Sequence, residues 1–176
     1  NIEIKARLDA GIDALLPIAS ALAGTAAELI AQDDTFFAAP QGRLKLREFA
    51  DGSAELIHYH RADGTDARAS DYVRVAAPEP AALREALVRA CGLVGRVRKQ
   101  RWLLVVREAG FNTRIHLDRV EQLGDFMELE VVLQEGQTDA QGQAVAATLM
   151  QRLGLGSAPR LAGAYMDMLA ASPLEA

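Results

Sequence analysis

The chain has 176 residues, of which 50% are hydrophobic and 24% charged, with a formal net charge of −5. That length suits a single domain, residues 1–176, able to bury roughly 70% of its unfolded surface without disulfide or metal. The absence of a basic excess argues against a nucleic-acid surface, and the one cysteine, Cys91, excludes an internal disulfide and points to a reducing cytoplasm.

Residues Asn1 to Leu8 alternate strictly, Ile2, Ile4, Ala6 and Leu8 opposing Asn1, Glu3, Lys5 and Arg7, which predicts a strand. The chain begins at Asn1 rather than Met, from which a few preceding native residues are expected. Ile12, Leu15, Leu16, Ala19 and Leu22 fall at helical spacing up to Gly24, with Pro17 either in the first turn or kinking the helix. The apolar stretch Ala19 to Ala31 carries Gly24, Thr25 and Glu28, so it reads as neither a signal sequence nor a membrane span. No strand is read between Gly24 and Gly42.

Gly42 to Phe49 alternates again, Leu44 and Leu46 opposing Arg43, Lys45 and Arg47. Asp51-Gly52 supplies a hairpin turn into a strand from Ala54 to Arg61, and a turn at Asp63-Gly64 leads to a short strand, Asp71 to Ala76. Pro78 and Pro80 open a helix closed by Gly92, with Cys91 expected in the core at its end. Strands follow at Val94 to Arg107, at Asn112 to Asp118 beyond the Ala109-Gly110 turn, and at Phe126 to Gln134. A helix from Asp139 to Leu153, ended by Gly154, and a short terminal one expected from Leu161 to Ala170 complete the chain. The order is compatible with two similar halves, but no repeat is strong enough to claim.

Lysine occurs only three times, and each is followed two residues later by arginine: Lys5-Ala6-Arg7, Lys45-Leu46-Arg47 and Lys99-Gln100-Arg101. In a strand, residues i and i+2 share a face, so three strands each present a cationic pair. The same parity adds Glu3, Arg43, Arg61, Arg114, His116, Asp118, Glu128 and Glu130 to one polar set. For any single strand this is the wet face of an ordinary antiparallel sheet. For the whole set, paired cations suit phosphate oxygens, and clustered carboxylates suit Mg²⁺ or Mn²⁺. Together they describe a metal-polyphosphate site, lining a bore if the sheet closes into a barrel.

His58 and His60 are read as an exterior pair, Trp102 as packing under a helix, and Tyr165 as either closing a bore or joining the core. No glycine-rich phosphate loop, serine nucleophile elbow or cysteine metal spacing is present.

The opening Asn1-Ile2-Glu3-Ile4-Lys5-Ala6-Arg7 resembles the Glu-x-Glu-x-Lys signature of the CYTH domain proteins, named for class IV adenylyl cyclases and thiamine triphosphatases. Arg43-Leu44-Lys45-Leu46-Arg47, Glu55-Leu56-Ile57 to Arg61 and Arg98-Lys99-Gln100-Arg101 are similar to the family's basic strands. The most specific pattern is His116-Leu117-Asp118-Arg119-Val120 followed by Leu123-Gly124-Asp125-Phe126-Met127-Glu128-Leu129-Glu130. Ala164-Tyr165-Met166-Asp167-Met168-Leu169 is similar to a closing Ser-Tyr-x-Asp-Leu-Leu.

The resemblance spans residues 1 to about 170 and implies an α+β triphosphate tunnel fold: an antiparallel eight-stranded β-barrel with helices outside. It implies Glu3, Asp118, Glu128 and Glu130 at a Mg²⁺ or Mn²⁺ site, and Lys5, Lys45, Arg47, Arg61, Lys99 and Arg101 on the phosphates. Arg7, Arg114 and His116 are added from strand parity. Lys5, Arg61 and Asp118 are expected to serve catalysis. The first signature Glu is Asn1 here, one carboxylate fewer.

The expected partner is a nucleoside, other organic or inorganic triphosphate, with no nucleic acid or membrane and a possible homodimer. The activity expected from the resemblance is that of a class IV adenylate cyclase, converting ATP to cyclic AMP and pyrophosphate. The alternatives are hydrolysis of thiamine triphosphate or tripolyphosphate, or non-catalytic polyphosphate binding. A barrel for an apolar ligand is disfavoured by the charged faces.

Overall fold

A computed structural model describes residues 1–60 and 71–171. Among the described residues, eight strands and four helices follow in the order β1 (Ile2–Arg7), α1 (Ile12–Ala23), β2 (Glu28–Phe37), β3 (Arg43–Phe49), β4 (Ala54–His60), β5 (Asp71–Ala76), α2 (Pro80–Cys91), β6 (Leu93–Glu108), β7 (Phe111–Val120), β8 (Gly124–Val132), α3 (Asp139–Arg152) and α4 (Tyr165–Ala171). The fold is α+β, with one eight-stranded antiparallel sheet in the order β1-β8-β7-β6-β2-β3-β4-β5. No helix of the described residues is long and apolar enough to cross a membrane. The expected strand at 54–61 is described as far as His60; Arg61 and the Asp63-Gly64 turn lie outside the described residues.

The chain divides into two compact units. The first comprises residues 1–29 and 100–162. Its core takes Ile2, Ile4, Ala6 and Leu8 from β1, Ile115 and Leu117 from β7, and Met127, Leu129 and Val131 from β8. Those residues occupy the apolar parity that the sequence displays, which is why strands, rather than helices, gather them. Over them pack Ile12, Leu15 and Ala19 of α1 and Val145, Ala146, Leu149 and Met150 of α3. Pro17 lies inside α1, in its second turn, so the Asp13 carbonyl there loses its usual N–H donor.

Three local devices seat these helices. The Asp125 carboxylate accepts from the Ile12 backbone N–H at 2.9 Å and from both Arg119 nitrogens, Nε at 2.9 Å and Nη2 at 3.0 Å. The hydrogen bonds from Arg119, the larger effect, and from Ile12 hold the Asp125 carboxyl below its ordinary value. On α3, a Cβ at Gly142 would lie 2.8 Å from side-chain carbons of Ile2 and Leu133. Glycine there permits the close approach of helix to strand. Thr138 and Gln141 form a reciprocal capping box at the start of α3.

The second unit comprises residues 30–60, 71–99 and 163–171. Phe37, Leu46, Ala54 and Ala77 form a small core, against which Leu44 and the α2 residues Leu83 and Leu87 pack. Arg84 of α2 pairs with Glu48 through Nε at 3.0 Å and Nη2 at 2.7 Å. Helix α2 has no fully buried residue, and Cys91 is exposed. The expectation of a core cysteine is therefore corrected: the apolar stripe of α2 reaches its cluster at Leu83 and Leu87, and Cys91 lies in the last turn beyond them.

The strand β2 is the element that the alternation did not reveal. Its last four residues, Asp34, Thr35, Phe36 and Phe37, are all buried, so both strand faces are covered and the polar-apolar rhythm disappears.

Candidate functional site

Antiparallel register determines which charged residues face one another. In the first unit, β1 and β8 set Lys5 opposite Glu128 and Glu3 opposite Glu130. The β7–β8 ladder sets His116 opposite Glu128 and Arg114 opposite Glu130. Directly opposed residues project to the same side, so β8 lays two carboxylates in a row between flanking strands.

Glu128 is held from several directions. Lys5 Nζ lies 2.9 Å from Oε1, and Arg101 Nη2 lies 2.9 Å from Oε2. Arg101 also forks onto Asp118, Nε to Oδ1 at 2.7 Å and Nη2 to Oδ2 at 2.6 Å. Asp118 is 0% exposed and Lys5 only 6%. Burying these charges is tolerable because each is paired and the guanidinium geometry matches the carboxylates.

His116 Nδ1 stands 3.7 Å from Glu128 Oε2, too far for a direct hydrogen bond, and has no hydrogen-bond partner among the described residues. Burial lowers its pKa against the opposing pull of Glu128, favouring the neutral ring.

At the next position along β8, Arg114 forks onto Glu130, Nε to Oε2 at 2.8 Å and Nη2 to Oε1 at 3.0 Å. Asn1 Nδ2 also donates to Glu130 Oε1 at 2.7 Å. Arg7 takes a different course. Its Nη1 donates to the Leu123 carbonyl at 2.8 Å, and its guanidinium covers the Phe126 ring at 4.7 Å. Phe126 is the β8 residue opposite Arg7, so the end of the β1–β8 ladder engages this cation.

The second unit carries its own charged set, centred on a residue outside the sequence-derived list. Asp34 of β2 is 3% exposed and stands opposite Arg47 in the β2–β3 register. Arg47 donates from Nε to Oδ1 and from Nη2 to Oδ2, both at 2.7 Å, while Lys45 Nζ lies 2.8 Å from Oδ2. Burial pushes the Asp34 carboxyl up, but Lys45, Arg47 and Lys99 outweigh it and hold the group well below the usual carboxylate range.

The Lys45 ammonium also lies 5.5 Å from the Phe36 and Tyr59 ring centroids. Lys99, 8% exposed, lies 5.0 Å from the Tyr165 ring, and Tyr165 is itself buried. Arg43 holds Asp167 with 2.8 Å contacts to both carboxylate oxygens. The sequence signal for Asp34 was its place in Gln32-Asp33-Asp34-Thr35-Phe36-Phe37, where Gln32, Asp34 and Phe36 share a parity.

The structure thus gathers Lys5, Arg101, His116, Asp118 and Glu128 in one unit, with Glu3, Glu130 and Arg114 beside them. It gathers Lys45, Arg47 and Lys99 around Asp34 in the other. Arg61 lies outside the described residues. Trp102 packs against the first core, with Arg119 over its ring at 5.6 Å. The His58 and His60 rings meet edge to face at 5.3 Å, and His58 Nε2 lies 2.9 Å from the Gln41 carbonyl.

Among the described residues, no three His, Cys, Asp or Glu side chains are placed to hold a metal ion as they stand. Asp118, Glu128 and Glu130 instead meet the protein's own cations. The donor set nevertheless fits a hard divalent ion in kind and register. Glu3 and Glu130 are directly opposed like charges, and Glu128 is two residues along the same face. Arg114 offsets the Glu130 charge as the structure stands, and oxygen donors in such a row suit Mg²⁺ or Mn²⁺.

Buried cations and a row of carboxylates on the strand faces of an α+β chain are groups chemically suited to a polyanion with a hard cation. More particularly, the CYTH domain model matches residues 1–165, and the chain belongs to the CYTH domain family. This is a family of triphosphate tunnel metalloenzymes, generally acting on triphosphates with divalent metals.

No functionally curated protein matches the chain. Among solved structures, it is similar to the PH1012 protein of Pyrococcus horikoshii OT3, at TM-score 0.78 and 22% identity, over 94% of this chain and 97% of that one. A conserved hypothetical protein of Pyrococcus furiosus gives 0.76 and 18%, over 94% and 98%. A protein of Vibrio parahaemolyticus described as a "putative adenylate cyclase" gives 0.72 and 21%, over 97% of each chain.

Proposed function

We propose that this protein is a metal-dependent enzyme whose substrate is a triphosphate, with residues 1–176 acting as one CYTH-like domain and the sheet closing into an eight-stranded barrel. The observation that carries this reading is the burial of Lys5 and Lys99 together with the forked pairing of Arg47 and Arg101. Surface cations need no such enclosure. Buried ones held by exchangeable carboxylates can be handed to phosphate oxygens that offer the same geometry.

In this reading Lys5, Lys45, Arg47, Arg61, Lys99 and Arg101 hold the phosphates, Arg7 and Arg114 add to them, and Lys5, Arg61 and Asp118 serve catalysis. Glu3, Glu128 and Glu130 would hold Mg²⁺ or Mn²⁺, with Asp118 beside them. When bound, the ion would supply charge neutralisation at the phosphoryl oxygens. Arg101 links the two roles, because Asp118 fixes its plane while its Nη2 reaches Glu128. Neutral His116 stands where it can accept a proton next to these carboxylates.

Cyclic AMP and pyrophosphate formation from ATP, as in the class IV cyclase-like branch, is the favoured chemistry. The name given to the similar Vibrio protein supports it. Hydrolysis of thiamine triphosphate or tripolyphosphate uses the same groups, with water as nucleophile. Asn1, whose amide occupies Glu130 in place of a carboxylate, favours a second reading: a polyphosphate binder without turnover.

ATP, thiamine triphosphate and tripolyphosphate supplied with Mg²⁺ or Mn²⁺, with cyclic AMP, pyrophosphate and phosphate read separately, distinguish these outcomes. Cyclic AMP with pyrophosphate identifies the cyclase, and phosphate release identifies the hydrolase. Binding without turnover identifies the binder, and no binding of any of the three refutes the whole reading.

A further inference from the structure

The β2–β3 face that carries Asp34, Arg47 and Lys45 continues past its charges. The register pairs Phe36 with Lys45, Asp34 with Arg47, and then Gln32 with Phe49. Gln32 is 7% exposed, yet its Oε1 is buried without a hydrogen-bond partner among the described residues. A buried amide oxygen left unpaired is costly and uncommon in folded proteins. Phe49, directly opposite and only partly buried, projects to the same side and offers a ring face. The Asp34–Arg47 pair lies two positions further along the strands, about 7 Å away.

We propose that Gln32 and Phe49 form a seat for the amino-bearing heterocycle of a nucleotide. Gln32 Oε1 accepts from the exocyclic amine, Phe49 packs on the ring, and the phosphates extend toward Arg47 and Lys45. The inference rests on the triphosphate reading above and deepens it by assigning two residues to the recognition of the substrate's organic part. An acceptor facing an aromatic ring complements an aminopurine such as adenine, whose exocyclic amine is a donor and whose ring has a stackable face. Inorganic tripolyphosphate has neither feature, so it would leave the amide oxygen unsatisfied.

The test is calorimetric binding of ATP, purine riboside triphosphate (which lacks the exocyclic amine), inosine triphosphate and tripolyphosphate, in Ca²⁺ and in EDTA. The wild-type chain is expected to bind ATP about tenfold or more tighter than purine riboside triphosphate, because a buried acceptor discriminates against a ligand that leaves it unpaired. Gln32→Leu should bring the two nucleotides to similar affinities and leave tripolyphosphate unchanged. Gln32→Glu, which keeps an acceptor, should retain the preference for ATP. Phe49→Leu should weaken both nucleotides and spare tripolyphosphate.

Equal wild-type binding of ATP and its amine-less analogue overturns the seat, as does a preference for inosine triphosphate. The wild-type comparison decides this even if a variant does not fold. Tripolyphosphate binding without nucleotide discrimination overturns this inference alone, whereas failure of all four ligands to bind overturns the triphosphate reading as well.

Discussion

Asp34 and Arg47 stand directly opposite each other on adjacent strands, joined by two parallel 2.7 Å hydrogen bonds, with the Lys45 ammonium 2.8 Å from the same carboxylate. One buried anion thus holds two cations that would otherwise repel. A negatively charged ligand reaching this point would compete for the same donors.

Asp34→Asn should destabilise the ligand-free protein by about 3–5 kcal/mol, because removing one partner of a buried ion pair leaves uncompensated charge. Tripolyphosphate should recover part of the loss by replacing the missing anion. Thermal melts with and without tripolyphosphate check this: the rise in Tm should be larger for the variant than for the wild type. Equal rises would show that the anion binds elsewhere.

The same residue predicts an acid response. Because the folded pKa of Asp34 is depressed, its contribution to stability is fully present above its unfolded value near 3.9 and is lost as pH falls through the folded value. Urea unfolding of wild type and Asp34→Asn from about pH 6 downward should show the stability difference between them shrinking below about pH 4. A constant difference across that range would separate the residue from the acid response.

Glu128→Ala and Glu130→Ala should lower metal-dependent turnover by on the order of 10²-fold or more, if neutralisation of phosphoryl charge by the ion is the main contribution. Circular dichroism should show a retained fold, although Glu128→Ala should melt lower than wild type because it removes a carboxylate from buried Lys5 and Arg101. Steady-state rates within a few-fold of wild type would argue against their metal role.

Asn1→Glu adds a carboxylate beside Glu3 and Glu130, where the amide now donates to Glu130 at 2.7 Å. Without metal, the variant should melt lower than wild type from added repulsion. With Mn²⁺, binding should tighten, because a further anionic oxygen raises affinity for a hard cation. Equal Mn²⁺ affinities by calorimetry would place position 1 outside the metal shell.

Sequence alternation was sufficient to assign faces. The parity of Glu3, Lys5, Glu128, Glu130, Lys99 and Arg101 followed from the period of two, and glycines and prolines marked the helix ends closely enough to locate α1, α2 and α3. The ordered motifs also identified the family, because strand parity and spacing survive where overall identity is low. What alternation cannot supply is register, since a face says which side a residue occupies and not which partner it meets.

Only the tertiary structure set Glu3 opposite Glu130, sent Arg7 onto Phe126, and placed Arg101 between Asp118 and Glu128. It also supplied β2 and with it Asp34. A strand covered on both faces loses the rhythm by which sequence announces it, and the carboxylate between Lys45 and Arg47 became visible only once β2 was laid beside β3.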